Sequence, residues 1–343
     1  MKRLALGLVA AAVAVVVALE IALRALGYSA PQWYRLDPLL GWTLHAHRHG
    51  WYAHAGGRTA VDINPAGLRD REHFFDKPDD VYRIAVLGDE FSEAMQIRLD
   101  DTWWRRLPYA LQACGFARGR NLEVLNFAVR GYDTAQELLT LQTAAMLYAP
   151  DLVLLQFSPN DVAENSFALA ADKARPFYFL DARGAPRLDA SFAAAPGFAR
   201  FMQTRYQLGA EILDHSRAFQ LARQLAARAF VGEAYAHADV VALQEPRNAL
   251  WQDAWRVTEA LVLGARDYAL RNGARFALVA APDPLQRGMA YPDQRLATFS
   301  AKARIPFVAL SSPEHAAAAR SVALRLCASL SRDAPAGGAA QDR

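Results

Sequence analysis

Glu90 is the residue on which the chemistry of this chain turns. It closes the turn Gly88-Asp89-Glu90 directly after the apolar run Ile84-Ala-Val-Leu87. A buried strand that runs into a tight Gly-Asp turn is where an α/β hydrolytic site presents its nucleophile. A carboxylate at that point can serve as a general acid or base. As a nucleophile toward an ester it would have to pass through an anhydride, which is harder to reach and discharge than a serine ester. Ser92 lies further round the turn and fits a hydroxyl that stabilises the turn or caps the next helix. Two later stretches repeat the layout. Asn126-Phe-Ala-Val-Arg-Gly-Tyr-Asp-Thr134 places Gly131, and Phe157-Ser-Pro-Asn-Asp-Val-Ala-Glu-Asn165 places Asn160 and Asp161, each after an apolar run. In Val308-Ala-Leu-Ser-Ser-Pro-Glu-His-Ala316 the one histidine is His315. Pro313 and Glu314 predict the first turn of a helix there, which makes His315 a solvated side chain before a catalytic one.

The elements that must hold these residues alternate. Strands are expected at 82–87, 122–129, 151–157, 275–280 and, shorter, 306–310. Helices are expected at 102–114, with Asp100 and Asp101 as capping candidates, and at 134–148, 250–272 and 313–330. Short strands that are apolar on both faces and alternate with helices of this length predict a parallel sheet covered on both sides. The fold class is therefore α/β, a three-layer αβα sandwich on a parallel five-stranded sheet. Strand ends in such a sheet meet at one crevice. The regularity lapses at about 165–247, where an aromatic-rich loop (Pro176-Phe-Tyr-Phe179), a turn at Arg183-Gly-Ala-Pro186 and helical stretches around 200–229 are expected to form a helical insertion, a lid over the carboxyl edge of the sheet. The main domain spans 81–331, and 332–343 is a disordered tail. Residues 28–80 form an accessory segment with short strands. Its His45, His47 and His49 would line one side of a strand, but no carboxylate or cysteine stands beside them at ligand spacing. No metal and no cofactor are expected.

Taken together, these stretches resemble the ordered blocks of the SGNH/GDSL hydrolases, whose first block begins Gly-Asp-Ser. Gly88 and Asp89 match, and Glu90 stands where the family has its nucleophilic serine. Gly131 matches the second block, and Asn160 with Asp161 the third. The upstream Asp37-Pro-Leu-Leu-Gly-Trp42 and Asn64-Pro-Ala-Gly-Leu-Arg-Asp70 are similar to a membrane-anchored bacterial subgroup. The resemblance implies an SGNH (flavodoxin-like) sandwich. It also implies an oxyanion hole made by the backbone N–H of residue 90, the Gly131 N–H and the Asn160 side chain. In the family an Asp and a His a few residues apart precede the last helix, and the His is the base. Here His315 has no Asp at that spacing, so the catalytic pair is lost together with the serine.

The first residues have a different character. Lys2 and Arg3 precede an uncharged run from 4 to 19 and further apolar residues to 26. As a helix, 4–26 spans about 34 Å, enough for a bilayer core. Glu20 and Arg24 are four apart and can neutralise each other near the far interface. The basic start predicts a cytoplasmic N-terminus. Residues 1–27 thus read as an uncleaved anchor in a bacterial inner membrane, one helix separate from a globular body on the periplasmic side. A cleavable signal peptide is the rival. The 343 residues carry a formal charge of +3, spread along the chain, and no basic block interleaved with aromatics, which argues against nucleic acid as a partner. Cys114 and Cys327, the two cysteines, lie in apolar helical stretches and are expected as buried free thiols. The expected function is a membrane-anchored SGNH-like protein of the cell envelope without ordinary serine esterase activity, acting in binding of an acylated glycan or lipid or as an accessory to envelope glycan or lipid acylation. An enzyme of altered mechanism that uses Glu90 as acid or base, and a purely structural envelope protein, are the alternatives.

Overall fold

A computed structural model describes residues 2–201, 213–230, 243–282 and 291–330. The tail 332–343 expected to be disordered lies outside them, as do parts of the insertion. Helix α1 (Lys2–Ala25) carries its apolar side chains almost wholly exposed. It is long and apolar enough to cross a membrane, a property shared by anchors and signal sequences. Arg24 Nε donates to Glu20 Oε1 at 2.7 Å, as the spacing requires.

Two antiparallel hairpins follow, β1 (Tyr34–Asp37) with β2 (Gly41–Leu44) and β3 (His49–His54) with β4 (Gly57–Asp62). The three-histidine strand does not form. His45 and His47 precede β3, and His47 sits in the left-handed region at φ 57°, so only His49 is in the strand. Trp33, Leu44, Val61 and Ile63 from this segment share a core with Met95, Val129 and Tyr132 of the main domain.

The sheet is built from β5 (Val81–Leu87), then short α2 (Glu90–Glu93) and α3 (Trp103–Gln112), β6 (Asn121–Asn126), α4 (Thr134–Thr143), β7 (Leu152–Phe157) and short α5 (Asp161–Glu164). After the insertion come α8 (Ala249–Arg271), β10 (Arg275–Ala280), α9 (Tyr291–Ala303), β11 (Phe307–Ala309) and α10 (His315–Leu330). The five strands are parallel in the order β11-β10-β7-β5-β6. Alternate residues face opposite layers. Ile84 and Val86 pack with Trp103, Trp104 and Leu107 of α3 and Val322 and Leu326 of α10, while Ala85 and Leu87 pack with Leu138 of α4 and Trp255 and Leu261 of α8. The result is the three-layer αβα sandwich. Helix α9, with Pro292 in its first turn, adds to the expected helices and packs Leu296, Phe299 and Ala303 on the core.

The cysteines are a correction. Cys114, just past α3, is joined to Cys327 of α10 as a disulfide. Apolar helical surroundings suit a thiol and a disulfide equally, and only the packing of α3 on α10 brings the two residues together.

The insertion also departs from expectation. Its aromatic loop is a hairpin, β8 (Phe177–Leu180) with β9 (Pro186–Asp189), followed by α6 (Pro196–Phe201) and α7 (Arg217–Phe230). Helix α7 packs on the end of α1 and on residues 28–32, so α1 is docked to the body at its last turns and is not separate from it.

Candidate functional site

The strand order reverses between β5 and β7, and the carboxyl ends of these strands define the crevice of a doubly wound sheet. Glu90, Gly131 and Asn160 all follow strand ends at this edge. Gln156 of β7 locks its floor: its Oε1 accepts the Asp89 N–H at 3.2 Å and its Nε2 donates to Ser158 Oγ at 3.0 Å. A Cβ on Gly88 would lie 2.5 Å from Gln156 Oε1 and 3.1 Å from its Cβ, so the turn needs glycine there. Asp89 caps α2 by accepting the Phe91 N–H at 2.9 Å, which directs residue 90 outward.

Glu90 is exposed, and its Oε2 accepts the Gly131 N–H at 3.2 Å. Gly131 has φ 75°, a left-handed turn, with the Trp42 ring 3.3 Å from where its Cβ would stand. Trp42 Nε1 donates to Arg130 O at 2.9 Å, and Tyr132 OH donates to Trp42 O at 2.7 Å. The accessory segment is therefore a wall of the site. Asn160 begins α5 half-buried, and its side chain makes no cap bond there.

The two residues that could complete an esterase are committed elsewhere. Ser92 is fully buried in α2, and its Oγ accepts the Trp103 indole N–H at 3.1 Å. His315 is buried and not solvated, which corrects the expectation for a first-turn histidine. Its Nδ1 accepts the Trp103 backbone N–H at 2.9 Å, and its ring stacks on Phe91 at 5.1 Å. This bond caps α3 from the far end of the domain. The expected caps, Asp100 and Asp101, pair instead with Arg105 and Arg106, and Thr102 at the cap position makes no side-chain cap bond. With Nδ1 accepting, the proton of the neutral ring is on Nε2. Burial, with Arg69 and Arg106 nearby, lowers the His315 pKa to about 4. Among the described residues no serine pairs with His315, and its part in catalysis is not supported by its position.

Beneath the crevice lies a feature not read from the sequence. Asp89, Asp133, Glu137 and Asp161 are all buried. Asp133 caps α4 in a capping box with Gln136 and accepts Arg175 Nη1 at 2.9 Å. Asp161 Oδ2 accepts Thr134 Oγ1 at 3.2 Å and the Ser158 N–H at 3.3 Å. Neither carboxyl oxygen of Glu137 has a hydrogen-bond partner among the described residues. Burial and the neighbouring Asp161 and Asp89 push Glu137 well above the carboxylate range, and burial with Asp89 and Asp133 does the same to Asp161. Burial and then Glu90 push Asp89 up to about 7. A capping-box pattern at Asp133 and an acid inside the apolar run of α4 are the signals that could have found this group. Among the described residues no cluster has metal-ligand geometry.

No family model matches the chain. A curated arylesterase from Vibrio mimicus is 32% identical over 79 residues, 23% of this chain and 38% of its own, so the match spans well under half of that protein. Among solved structures, TesA overlays at TM-score 0.33 and 14% identity, covering 66% of this chain and 76% of its own. A GDSL-like lipase from Bacteroides thetaiotaomicron overlays at 0.29 and 15%, covering 66% and 68%. A variant of an acetylxylan esterase from Geobacillus stearothermophilus overlays at 0.34 and 10%, covering 66% and 75%. These overlays are too loose to assign an activity. The parallel strand order sets the three stretches that resemble SGNH/GDSL blocks at the carboxyl ends of its strands, with Glu90 at the position where that family has its nucleophilic serine.

Proposed function

We propose that this protein is a binding component of the bacterial cell envelope, held in the inner membrane by residues 4–26, and not a serine esterase. The observation that carries the reading is the Glu90 carboxylate on the Gly131 N–H. Glu90 takes up a donor that an oxyanion would need, while Ser92 and His315 are both engaged by Trp103. The Cys114–Cys327 disulfide supports an extracytoplasmic body, since such bonds persist in oxidising compartments. The ligand class, an acylated glycan or lipid, follows from the family resemblance and from that location.

A second reading has its own support. Glu90 is exposed at the crevice, and Asp89 beside it is pushed up to about 7. A buried carboxyl group pushed up beside an exposed one at a crevice is a pattern of acid–base catalysis. One experiment separates the two: ester turnover and equilibrium binding of acetylated and deacetylated glycan fragments, for the natural chain and Glu90→Gln. The binding reading expects no turnover and a preference for the acetylated fragment. Turnover that Glu90→Gln abolishes would establish the enzyme instead.

A further inference from the structure

Helix α7 is turned inside out. A surface helix normally buries its apolar stripe and shows its polar side to water. Here the polar side faces the body. Gln220 is 1% exposed; its Oε1 accepts the Ala30 N–H at 2.8 Å and its Nε2 donates to Asp214 O at 2.7 Å. Arg217 Nη1 donates to Ser29 Oγ at 2.8 Å, and Arg223 Nη2 to Ala30 O at 2.6 Å. Arg223 also reaches the buried Asp214 carboxylate at 3.3 Å, and Tyr28 OH donates to Gln224 Oε1 at 2.8 Å. The opposite side carries Ala218, Leu221, Ala222 and Leu225 at helical spacing. Ala222 and Leu225 are exposed, Leu225 to 55%, and the other two are half-buried.

The position of this apolar side is fixed by a second set of contacts. Glu20 Oε2, in the last turns of α1, accepts both Ser216 Oγ and the Ala218 N–H at 2.9 Å, which caps the first turn of α7. Arg24 Nη2 donates to His215 O at 2.7 Å. Glu20 precedes the end of α1 at Ala25, so α7 starts about 8 Å below the top of that helix. At that level α1 itself shows exposed Leu19 and Ile21.

We infer that α7 is an interfacial helix, lying in the surface of the bilayer that α1 enters, with Ala218, Leu221, Ala222 and Leu225 at the boundary of headgroups and acyl chains. The inference rests on reading α1 as an uncleaved anchor. Lipid is the occupant because a helix pinned below the top of a membrane-spanning helix has lipid as its neighbour there. Arg217 and Arg223 are engaged by the body, so contact does not require anionic lipid.

The test uses the full chain in nanodiscs of zwitterionic phosphatidylcholine, with an environment-sensitive probe attached in turn at Leu225→Cys, Ala222→Cys, Ile21→Cys and Leu324→Cys. The native cysteines are occupied by their disulfide. Lipids brominated in the acyl chain should quench the probe at 225, 222 and 21 several-fold more than at 324, an exposed site on α10. Quenching by lipid at 21, with only aqueous iodide acting at 225 and 222, would overturn the inference and leave the anchor standing. Lipid quenching at none of the sites would remove the anchor, and the inference with it.

Discussion

His315 Nδ1 accepts the backbone N–H of Trp103 at 2.9 Å. The first turn of a helix leaves its N–H groups without partners, and here an imidazole from the last helix of the domain supplies one acceptor. His315→Ala should therefore cost about 1–2 kcal/mol of stability, the usual scale for a lost cap with a buried donor left bare. Urea unfolding measures it. Because the folded pKa of His315 is lowered to about 4, its contribution is complete above the unfolded value of about 6.5 and declines as pH falls from there toward 4. The gap between the natural chain and His315→Ala should narrow over that window, and a gap independent of pH would refute this account of the cap.

Glu90→Ala should change stability little. Its bond to Gly131 is solvent-exposed, and exposed contacts of a charged side chain contribute about 0–1 kcal/mol. Glu90→Ser should not restore ester hydrolysis, since His315 is held by Trp103 and stacked on Phe91. Turnover of a short-chain chromogenic ester by Glu90→Ser, well above the natural chain, would mean that a base has been overlooked.

Glu137 gives the clearest pH signature. Its folded pKa is raised well above the ordinary value, so the folded state keeps a proton that the unfolded chain releases. Stability from this group falls as pH rises from the unfolded value near 4.5 through the folded one. Glu137→Gln is expected to leave melting near pH 4 almost unchanged and to raise the melting temperature at pH 8. Equal shifts at both pH values would show that Glu137 is ionised at neutral pH.

Reduction of the Cys114–Cys327 disulfide, or the paired change to serine, should cost about 2–4 kcal/mol. Melting with and without reductant checks it, and the serine pair should be indifferent to reductant.

The strands and the blocks at their ends were legible because each apolar run is continuous and ends at a turn residue, as at Leu87-Gly88 and Phe157-Ser158. Gly131 could be placed because a turn after β6 needs a left-handed residue. What could not be read was whatever depends on two distant elements meeting. The burial of His315 depends on an orphan donor of α3, and the cysteine pairing depends on α3 lying against α10. The acid group depends on α4 and α5 closing over one floor. The hairpin β8–β9 was hidden by Pro186, which breaks strand character although it sits at a strand start. Helix α7 falls in the stretch expected to form a lid, because apolar periodicity reports that a stripe exists and not which neighbour it meets.

The chain has no slack between α1 and the sheet. Ser29 and Ala30 are already buried four and five residues past Ala25, Ser29 O accepts the Trp51 N–H at 2.8 Å, and Trp33 is in the core shared with Tyr132. With α1 as its anchor, the body is mounted as on a short post and not moored on a rope. On the proposed reading its crevice would have a set height and heading above the lipid and could not sweep a volume for a ligand. Reach would then come from the other side: a polymer long enough to thread that height, or a lipid lifted to it.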